Sequence, residues 1–220
     1  MRLAVFDLDG TLVNSLPDLT DSAGLLLAEH GFPALSEPQV RSMIGDGVAA
    51  LVQRALDSAG PGAAGIDRKI ATERFMEIYS PRVTLKSRLF PGTKDVLLRL
   101  RAENWRLAVC TNKPVAAARD ILRTFGILED FAAIGGGDSF PTRKPDAGHL
   151  LGTIEAAGGL PRQSVMIGDH ANDMLAGRHA GVRSIYAEWG YGVPGYAEGA
   201  AAVAASIAEV PDVADRLLPT

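Results

Sequence analysis

The sequence predicts an α/β protein: a doubly wound parallel sheet with a block of helices inserted near its start. Three observations predict it. Short apolar stretches rich in branched residues recur at Leu3–Phe6, Arg106–Cys110, Ser164–Gly168 and 182–186, each running into polar or glycine residues. Helix-spaced segments separate the last three, and such alternation implies right-handed crossovers, a parallel sheet and helices on both faces. From about residue 16 to residue 84 the pattern carries helix and loop alone.

Taken in order, Leu3–Phe6 has the composition of a buried strand, and Asp7 ends it. Pro17 suits a first helical turn; Leu19, Ala23, Leu26 and Leu27 then recur at helical spacing until Gly31. Ser36 is a candidate cap for a short helix carrying Val40, Met43 and Ile44, which Gly45-Asp46-Gly47 interrupts. Val48, Leu51, Val52, Ala55 and Leu56 form the stripe of an amphipathic helix. Ile66, Ile70, Phe75, Ile78 and Tyr79 give another, broken by Pro81. The pattern changes at Leu89-Phe90-Pro91-Gly92, after which a helix with Val96, Leu97 and Leu100 leads into the 106–110 strand. Helix is expected over 114–125, strand over 132–134 before Gly135-Gly136-Gly137, and helix over 147–157 before the 164–168 strand. Helix over 171–180 precedes the 182–186 strand; 200–205 is apolar but low in complexity and is given no element, and 212–218 closes as a surface helix. The expected division is residues 1–15 and 87–220 as the core and 16–86 as a helical cap. Both crossings are short, so the cap is expected to hinge as a lid.

A chain of 220 residues with 47% hydrophobic content suits one large core and a smaller insertion. Its net charge of -4, with no basic stretch, speaks against a nucleic-acid surface. Cys110 is the only cysteine, which excludes an intrachain disulfide and cysteine-rich zinc patterns. His30, His149, His170 and His179 show no ligand-like clustering. No signal-peptide layout and no apolar run of membrane-spanning length is present. The expectation is a soluble cytoplasmic protein, monomer or homodimer, with neither nucleic acid nor membrane as partner.

Four segments carry chemistry. Asp7-Leu8-Asp9-Gly10-Thr11 places two carboxylates where the first strand ends, the side of an open parallel sheet on which ligands bind. Carboxylates held that close repel unless a cation or a shared proton relieves them, and Mg2+ is the economical partner. Asp-Gly is also an ordinary turn. Thr111 and Asn112 follow a strand and precede a helix start, a suitable cradle for phosphate oxygens or simply a cap. Arg143-Lys144-Pro145-Asp146 offers a compact cation, which in isolation would be a solvated surface lysine, with Arg143 peripheral. Asp169 ends another buried strand and Asp173 lies one helical turn on, so the pair can complete a magnesium site with Asp7 and Asp9, or merely cap the helix.

In this order and at these places the four segments resemble the haloacid-dehalogenase superfamily, over essentially the whole chain. Met43-Ile44-Gly45-Asp46-Gly47-Val48 looks like the Gly-Asn-Gly loop of its phosphoglycolate-phosphatase-like branch, and Leu89-Phe90-Pro91-Gly92, Thr111-Asn112-Lys113-Pro114, Gly136-Gly137-Asp138 and Trp189-Gly190-Tyr191-Gly192 add matches. The resemblance implies a Rossmann-like core with an α-helical cap and Mg2+-dependent hydrolysis of a phosphomonoester through an aspartyl-phosphate. It implies Asp7 as nucleophile, Asp9 as acid and base, and Lys144 as the phosphate-binding lysine. Thr111 and Asn112 would touch the phosphoryl group, Gly45, Asp46 and Gly47 the substrate, and Asp7, Asp9, Asp169 and Asp173 the metal. The substrate implied is a small phosphorylated metabolite, foremost 2-phosphoglycolate, whose carboxylate would need a further cation; Arg41 and Lys113 are candidates by position. A sugar-phosphate or pyrophosphate phosphatase, a phosphosugar mutase and a non-catalytic binding module remain as alternatives. Two residues depart from the family pattern: Asn14 replaces an acidic residue, and His170 replaces a serine, which would change a neighbouring donor and the pH response.

Overall fold

The computed structural model describes residues 1–219. By their internal contacts these form two compact units, Met1–Asn14 with Leu89 onwards, and Ser15–Arg88. The first unit begins with β1 (Leu3–Phe6), fully buried, and a short strand β2 (Val13–Asn14).

The second unit is helical. Its α1 (Leu16–Glu29) buries Leu19, Ala23, Leu26 and Leu27, the stripe expected from helical spacing. The short α2 (Glu37–Arg41) follows, with Gln39 turning back to accept the Ser36 N–H. Gly47, at φ +87°, starts α3 (Val48–Ser58), whose Leu51, Val52, Ala55 and Leu56 are buried. Asp67 caps α4 (Arg68–Tyr79) by accepting the N–H groups of Lys69 and Ile70. One buried carboxylate ties the ends of this unit together. Asp18 on α1 accepts the backbone N–H groups of Lys86 and Ser87, at 2.9 and 2.7 Å, and the Ser87 hydroxyl at 2.6 Å.

The chain returns through β3 (Arg88–Leu89), which pairs with β2 as a two-stranded ribbon. Then come α5 (Thr93–Ala102), β4 (Arg106–Cys110), α6 (Val115–Thr124), β5 (Ala133–Gly135) and α7 (Ala147–Ala156). They are followed by β6 (Ser164–Gly168), α8 (Ala171–Ala180), β7 (Arg183–Ala187), β8 (Ala202–Ala204) and α9 (Val210–Leu217). The sheet has six strands in the order β5-β4-β1-β6-β7-β8, every adjacent pair parallel. The run 200–205, given no element from sequence, supplies the edge strand β8: its small residues let the Ala201 and Glu188 N–H groups join the ladder beside β7. The layout is that of a doubly wound sheet, built outward from β1 on both sides. Its central strands are buried without alternation, which is the condition for covering both faces with helices.

Replacing Asp18 by Ala leaves buried N–H and hydroxyl donors without their acceptor. The expected loss is about 3 kcal/mol of stability in the helical unit, read as a shift of the urea midpoint. An unshifted midpoint would remove Asp18 from this structural role.

Candidate active site

Strand register assembles the site. Phe6, the last residue of β1, stands opposite Val109 of β4 and Ile167 of β6. The three strands therefore run out at nearly one level, and the residues just beyond are Asp7, Thr111 and Asp169. Asp7 still donates its N–H to the Ile167 carbonyl at 2.8 Å, and Thr111 donates to that of Gly135 at 2.9 Å. Side chains at this edge face the crevice where the sheet's connections diverge to either side.

Asp7, Asp169 and Asp173 bring carboxylate oxygens within 4.8 Å of one another, all from buried residues. Burial pushes Asp7 up to about 6, with Lys144 pulling it back and Asp173 pushing it further. Burial likewise pushes Asp169 up to about 8, reinforced by the charges of Asp7 and Asp173. Lys144, with its side chain 1% exposed, sets its Nζ 3.0 Å from Asp7 Oδ1 and 2.6 Å from Asp173 Oδ1. Burial opposes its charge, but these carboxylates outweigh burial and hold the ammonium above its ordinary range. Three carboxylates against one ammonium leave a surplus of negative charge when all are ionised. An all-oxygen donor set with that surplus fits a hard divalent cation.

The surrounding contacts fix these groups in place. Thr11 donates its hydroxyl to Asp169 Oδ1, and the Tyr191 N–H donates to Asp169 Oδ2, each at 2.8 Å. Gly10 sits at φ +87° with no room for a side chain, since a Cβ there would fall inside the Asp169 carboxylate. Trp189 in turn donates its indole N–H to the Thr11 carbonyl at 3.0 Å. Asp173 Oδ2 accepts the His170 N–H at 3.0 Å, while His170 Nδ1 accepts the Asn172 N–H at 3.2 Å. His170 thus acts as a helix cap, the acceptor function a serine there would perform. Both peptide groups of Lys144 are held by side chains: its N–H donates to His149 Nδ1 at 3.1 Å, and its carbonyl accepts from Asn112 Nδ2 at 3.0 Å. His149 is fully buried, and burial together with the nearby Lys144 charge lowers it to about 4. The ring is therefore neutral, with the Nδ1 lone pair turned to Lys144.

Of the residues expected from sequence, Asp7, Asp9, Thr111, Asn112, Lys144, Asp169 and Asp173 all lie in the α/β unit, in the segments leaving β1, β4, β5 and β6. Asp9 stands apart from the carboxylate trio in its pairing: its side chain meets Lys113, whose Nζ is 2.9 Å from Oδ2 and 3.2 Å from Oδ1. Asn112, expected on the phosphoryl group, donates its amide nitrogen to the Lys144 carbonyl. Gly45, Asp46 and Gly47 belong to the helical unit at the start of α3, where Asp46 pairs with Arg54 and Arg54 also donates to the Met43 carbonyl. Arg41 is the last residue of α2 in that same unit. The Thr11 hydroxyl, His149 and the backbone of Tyr191 join the site without having been singled out from the sequence. A histidine in the first turn of a helix, on the side that buries Leu150, Thr153 and Ile154, is the available signal for His149.

Three comparisons bear on this site. The model of the family described as haloacid dehalogenase-like hydrolase matches residues 4–187. A phosphoglycolate phosphatase of Agrobacterium fabrum is 40% identical over 189 residues, covering 86% of this chain and 81% of that one. One of Haemophilus influenzae is 40% identical over 194 residues, covering 86% and 87% respectively. Among solved structures, a predicted phosphoglycolate phosphatase from Haemophilus somnus superimposes with a TM-score of 0.89 at 34% identity, over 97% of each chain.

Two predictions follow from the electrostatics and the clamp on Lys144. A carboxyl whose folded pKa exceeds its unfolded value stabilises the fold fully at low pH and loses that contribution as pH rises through the folded value. The melting temperature of chelator-treated protein should therefore fall as pH rises from about 5 through the Asp7 and Asp169 values near 6 and 8, and Asp169→Asn should flatten that slope; a pH-independent melting curve would contradict the assignment. Separately, His149→Leu should lower kcat by about tenfold or more, whereas His149→Asn, which restores an acceptor near Nδ1, should stay close to wild type. Equal activity of the two variants would dismiss the clamp.

Proposed function

The chain belongs to the haloacid dehalogenase-like hydrolases, and from that premise we propose that it hydrolyses 2-phosphoglycolate with Mg2+ as its metal. The observation that carries the reading is Lys144 buried between Asp7 and Asp173, beside Asp169, with Asp9 two residues further on. Asp7, Asp169 and Asp173 are the side chains that would hold Mg2+, with Asp9 contributing through its backbone carbonyl. Bound there, the ion would neutralise phosphate oxygens and the acidic residues at once.

The rest of the chemistry falls to the chain's own groups. An Asp7 carboxylate oxygen attacks phosphorus in line; the new O–P bond forms as the bond from phosphorus to the ester oxygen breaks. Asp9 gives its proton to the departing glycolate oxygen, then takes one from the water that attacks the aspartyl-phosphate. That second displacement breaks the Asp7 O–P bond, returns the Asp7 carboxylate and releases phosphate. Lys144 offsets charge on the equatorial oxygens, and its position supports this because it is anchored through both peptide groups and both acidic neighbours. Thr111 supplies a hydroxyl at the end of β4, and Asn112 acts through Lys144. Glycolate phosphate as substrate is supported by the phosphoglycolate phosphatases above, each about 40% identical over most of both chains.

The test is direct. Asp7→Asn should lower kcat on 2-phosphoglycolate by about 10^4-fold or more with an unchanged circular-dichroism spectrum, and removal of divalent cations from wild type should stop turnover until Mg2+ is returned. Turnover by Asp7→Asn at a wild-type rate would reject the nucleophile, and turnover without any divalent ion would reject the metal.

A further inference from the structure

We propose that Lys113 is the residue that reads the substrate's carboxylate, by exchanging its ion pair with Asp9 for one with the bound leaving group. This rests on the phosphoglycolate reading and deepens it. The site carries two buried lysines. Lys144 lies among the carboxylates that surround the reacting phosphoryl group. Lys113 is the second, its side chain 4% exposed, and its Nζ lies against the carboxylate of Asp9, the group assigned to protonate the leaving oxygen.

Reach decides where that cation can act. A leaving oxygen that accepts a proton from Asp9 sits about 2.8 Å from its carboxylate, and Lys113 Nζ is 2.9 Å from the same group. The gap from Nζ to the leaving oxygen is therefore at most about 6 Å. In 2-phosphoglycolate the carboxylate carbon is two bonds beyond that oxygen, which spans about 2.4 Å. A single hydrogen bond closes the remainder. An ester without a carboxylate, such as ethyl phosphate, offers nothing at that point.

The chain also invests structure in placing this lysine. The Lys113 N–H donates to Thr111 Oγ1 at 3.3 Å, and its carbonyl accepts the Gly137 N–H at 2.8 Å. Asp138 Oδ1 accepts the Val115 N–H at 2.8 Å, which fastens the far side of the turn. Gly136 and Gly137 pack so closely on this segment that a Cβ on either would enter the backbone of Val115 or Asn112. The glycine run after β5 is thereby explained as the bed on which the Lys113 turn lies. A lysine whose backbone is anchored this firmly while its ammonium rests on an exchangeable partner, in a site whose phosphoryl charge already has its own lysine, matches a second anion on the substrate. Burying a charge requires a partner at every stage, and Asp9 serves until the substrate arrives.

The measurement compares Lys113→Met and Lys113→Arg with wild type on 2-phosphoglycolate and ethyl phosphate. It also compares inhibition by 3-phosphonopropionate and propylphosphonate, a non-hydrolysable pair with and without the carboxylate. Lys113→Met should lower activity on 2-phosphoglycolate, whose carboxylate loses its cation, and to a lesser degree on ethyl phosphate, where Asp9 loses its partner, so that the preference for 2-phosphoglycolate shrinks by about 30-fold or more; Lys113→Arg should keep most of it. The preference for 3-phosphonopropionate should collapse in parallel. An equal fall on both esters, with the inhibitor preference intact, overturns the proposal and leaves Lys113 as a tether for Asp9. Wild type that does not prefer 2-phosphoglycolate over ethyl phosphate would sink the substrate reading, and the inhibitor pair would then judge Lys113 by itself.

Discussion

A lysine ammonium buried among acidic groups is the constraint on which the α/β unit turns. Lys144 and Asp173 are both essentially without solvent, and Asp7 and Asp169 are scarcely more exposed. Charges in such a place persist only where partners replace the lost water. The Asp7–Lys144–Asp173 contacts meet part of that need, and the Thr11 and Tyr191 donors meet another part at Asp169. What remains is a negative surplus focused on one point, which favours either protonation of Asp169 or a divalent cation. The same surplus that lowers the stability of the metal-free site suits its oxygen donors to a divalent cation. Stability and function pull in opposite directions here, as is common where charged groups are gathered for catalysis.

Meeting that constraint explains features that are otherwise unrelated. The level ends of β1, β4 and β6 bring the acidic residues together, and glycine at positions 10, 168 and 190 makes room for them. A Cβ on Gly168 would enter the Asp173 carboxylate, and one on Gly190 would enter that of Asp169. The loop after β7 adds the Tyr191 N–H and the Trp189 indole, so its Trp189-Gly190-Tyr191 sequence braces the turn after β1 at the same edge of the sheet.

How much of this could be read from the sequence depended on how local each cause was. Strand composition and helical spacing are local, so β1, β4, β6 and the stripe on α3 were legible. Strand β8 was not: Ala202-Val203-Ala204 has no alternation of its own and becomes a strand only because β7 presents an open edge. The acidic motifs were legible because strand ends gather ligands in open parallel sheets. Their partners were less so. The bond from Asn112 to the Lys144 carbonyl joins positions 32 residues apart, and the pairing of Lys113 with Asp9 spans 104. Neither separation has a periodicity that a sequence pattern could reveal. His149 escaped for the opposite reason, since a histidine in line with apolar helix positions usually signals plain packing, and only its Nδ1 against the Lys144 N–H distinguishes it.

His170 shows how a departure from a family pattern can be absorbed. From sequence it suggested a changed donor next to the acidic residues and an altered response to pH. In the fold its Nδ1 accepts the Asn172 N–H while its own N–H goes to Asp173, so imidazole takes the acceptor role of a hydroxyl at the start of α8. The ring rests edge-on against Tyr196, 4.6 Å between centroids, which gives the larger side chain a packing partner that serine would not need. The requirement at this position is thus a lone pair directed at the first turn of the helix. Imidazole supplies it here, and the chain runs from Asp169 into α8 with the Asp173 carboxylate within 4.8 Å of those of Asp7 and Asp169.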